Sequence, residues 1–155
     1  MIFRDSFLVG FLFVNLLAYI SMAGAITVIG GYLLLVMDYS QSVASLAGLQ
    51  QQVPIIIGVY LGIILQTQMP RGGPYTTEAI GLFTGVIGWL MMGVAGVQSS
   101  REFMNAMWWS GFSILGICFG LTQPASTAIL SARAGVDDQA QVQDVLRAVP
   151  QAATA

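Results

Sequence analysis

No charged residue occurs between Phe7 and Met37, a run of 31 residues. About 20 mostly apolar residues carry a helix across a bilayer core. As a helix, this run would extend roughly 46 Å at 1.5 Å per residue. That is more than one ~30 Å crossing and too little for two crossings and a turn. The run therefore predicts a single long span, tilted or projecting beyond the membrane. Gly24 and Gly30-Gly31 are the places where it would kink, Asp5 or Ser6 is placed to cap it, and Asp38 ends it. Arg4, the apolar run and Ala23-Gly24-Ala25 mimic a cleavable signal peptide. The apolar run continues beyond Ala25, however, and reads as an uncleaved first span.

Three further apolar runs follow. Val53 to Met69 is a second span, with Pro54 suited to its first turn. The uncharged stretch Ser40 to Gln52 before it places Val43, Leu46, Ala47 and Gln50 on one helical face. It reads as a short interfacial helix or as an early start to the second span. Two prolines and two glycines between Met69 and Pro74 break the chain. A third span is expected over 79–97, capped by Thr76 or Thr77, with Glu78 in its first turn, where the helix dipole favours an acid. Ser99 and Glu102 have capping-box spacing and open a fourth span over about 103–123. Pro124 is expected to kink that helix, and 125–134 to continue it. In 135–155, Val142, Val145, Leu146 and Val149 share one face of a short amphipathic helix. The organisation is thus an all-α transmembrane bundle over 1–134 and a short amphipathic helix with a frayed tail over 135–155.

Composition agrees with this reading and narrows the chemistry. Hydrophobic residues make up 56% of the chain and charged residues 8%, against about 25% charged in soluble domains. A basic nucleic-acid surface is excluded on charge alone. There is no His and no Lys. Within this chain that removes His-ligated haem and metals, Ser-His and Cys-His dyads, and a Schiff base. The lone Cys118 cannot form an internal disulfide or hold an iron–sulfur cluster by itself, and its apolar setting reads as a small buried hydrophobe. The chain is therefore expected not to be an enzyme. No residue argues for a pigment or other cofactor.

Four spans place both termini on one side. Arg4, Arg71, Arg133 and Arg147 lie on that side and Arg101 on the other, which predicts termini on the cytoplasmic or equivalent side. Tyr39, Tyr75, Trp108 and Trp109 fall near expected helix ends, as an aromatic belt would.

Small residues recur at helical spacing: Gly58 and Gly62 after Pro54; Gly81, Thr84, Gly85, Gly88, Ala95 and Gly96; and Ala106, Ser110, Ser113, Gly116 or Ile117, and Gly120. Such faces let helices approach closely in lipid. They serve either the packing of this bundle or contact with another subunit. Asn15, Gln66 and Asn105 are the main polar candidates within or beside the spans, with Asn15 the deepest. Its simplest role is an interhelical hydrogen bond. Gln50-Gln51-Gln52 reads as interfacial solvation. No Asp, Glu or Arg is expected well inside a span, which argues against proton-coupled transport. The features fit a non-catalytic membrane subunit whose partners are the bilayer and other membrane proteins or copies of itself. The alternative is a homo-oligomeric channel or facilitator for a neutral or weakly polar solute.

Overall fold

The structure, a computed structural model, describes residues 6–69, 71–133, 140 and 144. Among these residues the chain forms α1 (Ser6–Leu35), α2 (Gln41–Gln68), α3 (Gly73–Ala95) and α4 (Arg101–Arg133). All four helices are long and apolar enough to cross a membrane, and no strand occurs among the described residues. The chain is an all-helical, multi-pass integral membrane protein. The amphipathic helix expected over 135–155 lies outside the described residues except for Ala140 and Asp144, and the cap expected of Asp5 lies outside them too.

The contacts fix an up-down-up-down order. Leu8 packs with Leu130, Tyr19 meets Phe119 edge-on, and Tyr32 stacks on Trp108, so α1 and α4 run antiparallel. Gly81, Gly85 and Gly88 face Thr122, Cys118 and Gly111 in turn, so α3 and α4 are also antiparallel. Pro54, Gly58 and Gly62 face Gly116, Gly120 and Pro124, so α2 and α4 run parallel. Helix α4 is thus the central helix. Half of its span is buried, against 22%, 22% and 28% for α1, α2 and α3. With lipid rather than water around the bundle, the other three helices keep large apolar residues on their outer faces at no solvation cost. Phe13, Val28, Tyr60 and Phe83 are examples.

Glycine decides how close the helices come. A Cβ on Gly116 would lie 2.8 Å from Pro54 Cβ, and one on Gly88 would lie 2.9 Å from the Gly111 carbonyl oxygen. On Gly58 it would run into the Ile117 carbonyl, and on Gly120 into the Ile55 carbonyl. At Gly58, Gly88 and Gly120 backbone lies against backbone, an approach open only to glycine.

Several local expectations are corrected. Of the two readings of Ser40–Gln52, the early start to the second span holds, since α2 begins at Gln41, and Pro54 therefore sits inside the helix rather than in its first turn. Its buried face is Ala44, Ala47 and Gln51, while Val43 and Leu46 are exposed, a shift of one position. Gln51 does not solvate a helix end but is buried mid-helix, its Nε2 3.6 Å from Met22 Sδ. Helix α3 begins at Gly73, with Pro74 in its first turn, so neither Thr76 nor Thr77 caps it. Helix α4 opens after Ser100, whose hydroxyl accepts from the Phe103 N–H at 3.5 Å, rather than after Ser99. It continues through Pro124 to Arg133. Trp108 is no belt residue. It is buried between Tyr32 and Phe112.

The α1–α2 connection turns on Asp38, whose φ of 54° is left-handed. Arg101 donates to the Met37 carbonyl at 2.9 Å, satisfying an orphan acceptor at the end of α1. Its contact with Asp38, at 3.9 Å between exposed side chains, adds little.

Candidate functional site

Several of the polar side chains buried inside the bundle, Asn15, Thr77, Glu78 and Ser126, gather toward one end. Here α1 and α3 begin and α2 and α4 finish. Glu78 is the sixth residue of α3, about 7.5 Å along its axis, on the same face as Gly81, Gly85 and Gly88. Helix α3 starts at Gly73, so Glu78 lies beyond the first turn and inside the span. Read from the sequence, Glu78 falls in the first turn, and the structure moves it further into the helix. Glu78 is 5% exposed. The glycines below it bring α3 so close to α4 that its carboxyl meets the α4 surface rather than lipid.

Ser126 of α4 is the hub. Its Oγ is 2.9 Å from Glu78 Oε2 and 2.7 Å from Asn15 Oδ1 of α1. Asn15 is itself buried, and its Nδ2 donates to the Phe11 carbonyl at 3.0 Å. Three helices are thus joined through three side chains. Glu78 Oε1 is buried and has no hydrogen-bond partner, as are Thr77 Oγ1 beside it and Gln66 Nε2 in the last turn of α2. Glu78 also has no ion pair with any described residue. At the opposite end of the bundle, Asn105 Oδ1 and the Tyr32 hydroxyl are likewise buried and unpartnered.

The small-residue positions divide by location. Gly58, Gly62, Gly81, Gly85, Gly88 and Gly120 lie at the crossings with α4 or on it. Gly96 caps the C-terminus of α3 and meets only its own helix. Ser110 is exposed and Ser113 half-buried. Gly111, not Ser110, lies where α4 meets α3. Cys118 is half-buried against Gly85. Helix α1 differs from the rest: a Cβ added at Gly10, Gly24, Gly30 or Gly31 would meet nothing.

A second feature is an apolar groove of about 510 Å3 between α1, α3 and α4, lined by Gly24, Val28, Trp89, Met92, Gly93 and Trp108. Among the described residues, no three His, Cys, Asp or Glu side chains come together as a metal site would need.

Sequence reasoning missed Glu78 and Ser126. The signal for Glu78 was its spacing of three, seven and ten residues from Gly81, Gly85 and Gly88, which puts the acid on the packing face. Ser126 carried no local signal. Its partners lie 48 and 111 residues away.

No family model, curated protein or solved structure matches the chain.

Proposed function

We propose that the chain is a non-catalytic subunit of a larger membrane assembly, joined to its partners through the outer face of α1. One observation carries this reading. Glycines on α2, α3 and α4 are largely taken up by contacts within the bundle, whereas those on α1 have nothing against them, Gly10 and Gly31 being exposed and Gly24 lying at the edge of the groove beside α3. Gly10, Gly24 and Gly31 stand at multiples of seven along α1, and exposed Thr27 lies between the last two. Glycine inside a helix costs roughly 0.5–1 kcal/mol relative to Ala. In lipid the usual return for that cost is close approach of another helix. The peripheral packing of α1 leaves this face open.

Other membrane proteins and copies of the chain are both candidate partners, and the termini are assigned to the cytoplasmic or equivalent side on the arginine distribution. The test is extraction from native membranes in mild detergent, then mass spectrometry of the native band. Different membrane proteins in that band support an assembly subunit. A discrete homo-oligomer moves the reading to self-association. A single 16.5 kDa chain counts against both.

A further inference from the structure

We propose that Glu78 is a proton-binding site within the membrane, and that its proton completes a hydrogen-bonded chain running from α3 through Ser126 of α4 to Asn15 of α1. The argument is a count of hydrogens. The Ser126 hydroxyl has one hydrogen and lies within bonding distance of two oxygens, Asn15 Oδ1 at 2.7 Å and Glu78 Oε2 at 2.9 Å. The Asn15 amide nitrogen does not fill that contact, because it is Oδ1 that lies against Ser126 Oγ, while Nδ2 gives one of its two hydrogens to the Phe11 carbonyl at 3.0 Å. Turning the amide over would set two acceptor oxygens against each other there. An ionised carboxylate only accepts. With Glu78 ionised, one of the two contacts to Ser126 lacks a hydrogen. With a proton on Glu78, the chain is complete: Glu78 donates to Ser126, and Ser126 donates to Asn15.

A second observation points to the same ligand. Glu78 is 5% exposed and its Oε1 has no partner at all. A buried carboxylate would need cations or several donors. The groups facing it from the packed helices supply no cation, and only Ser126 and Asn15 hydrogen-bond to it. Helix α1 presents Asn15 and α4 presents Ser126, the titratable Tyr19 and Cys118 lie further along the same helices against Phe119 and Gly85, and no arginine pairs with Glu78 among the described residues. Binding adds one proton and removes one negative charge. Release sends that proton to water at the near end of the bundle, after which the Ser126 hydroxyl turns to the carboxylate and Asn15 loses its partner. The proton thereby sets whether α1 is tied to α4 at this level.

The test is infrared spectroscopy of the full chain in lipid vesicles near neutral pH, with circular dichroism to check helix content. The expected result is a carbonyl band of a protonated carboxylic acid that shifts in D2O and is absent in Glu78→Gln. In Ser126→Ala that band should move in frequency, because the acid has lost its acceptor. Should Glu78→Gln fail to fold, the Ser126→Ala shift decides. No such band in the wild type, or a band unmoved by Ser126→Ala, overturns the proposal. A parallel labelling with dicyclohexylcarbodiimide, which attacks protonated carboxyls in apolar surroundings, distinguishes the ligand. Modification of Glu78 unaffected by sodium at fixed pH supports a proton. Protection by sodium overturns it in favour of a metal cation.

Discussion

At the residue scale, Ser126 and Asp38 show how much one side chain can decide. Removing the Ser126 hydroxyl leaves Asn15 Oδ1 and Glu78 Oε2 buried without their shared partner. A buried group left unpaired costs about 1–3 kcal/mol in water-soluble proteins, and hydrogen bonds inside membranes average nearer ~0.6 kcal/mol. Ser126→Ala should therefore destabilise the bundle by about 1 kcal/mol, read as a lower midpoint in detergent-driven unfolding. An unchanged midpoint would mean that the chain of hydrogen bonds contributes nothing to stability. Asp38 sits at a φ of 54°. Left-handed backbone costs a non-glycine residue roughly 1–2 kcal/mol, less for Asp than for a branched side chain. Asp38→Gly should raise the midpoint and Asp38→Val should lower it, and the reverse order would argue against the turn described. Asp38 is legible in the sequence because a charge interrupts an apolar run. The place of Glu78 is not, because Thr76 and Thr77 look like caps, and a helix opened by Gly73-Pro74 has no use for them.

At the scale of the helices, the length of the apolar runs sets the number of spans, and the structure moves their ends. Membrane spans are legible because an apolar run of 20 or more residues has few other uses. Their ends are less so, since uncharged polar residues such as Gln50 and Gln52 suit either a helix or its boundary. The register of α2 differs by one position from the one its Val and Leu residues suggest. Large apolar residues turn inward in water, whereas in lipid the small Ala44, Ala47 and Gly58 go inward. Glycines on neighbouring helices can accordingly behave in opposite ways. Gly120→Ala drives a methyl into the backbone of α2, and overpacking of this kind costs about 1–3 kcal/mol. Gly48→Ala meets open space and should be neutral or stabilising by roughly 0.5–1 kcal/mol. The two variants compared by the same unfolding assay test the α2–α4 crossing directly. Equal effects would contradict it.

At the scale of the whole molecule, α4 is the post against which the other helices pack. The sequence hints at this, since polar and small residues make up a larger share of the fourth span than of the first. Which helices touch is set by long-range contacts such as Gly58 with Gly120, and neither run alone records its partner. The up-down-up-down order makes a testable statement about sidedness. On a Cys118→Ser background, Gln68→Cys at the end of α2 and Ser99→Cys before α4 should be labelled by an impermeant thiol reagent from opposite sides of the membrane. Labelling from the same side would remove a span. The same architecture leaves the glycines of α1 outside the bundle, and the proposed role in an assembly rests on them. The most direct test is native mass spectrometry of the chain released from membranes, wild type beside Gly24→Leu/Gly31→Leu. The wild type should appear in a species heavier than one 16.5 kDa chain, and the variant should revert to a single folded chain. A wild type found only as single chains, or a variant that assembles as well as the wild type, would contradict the account.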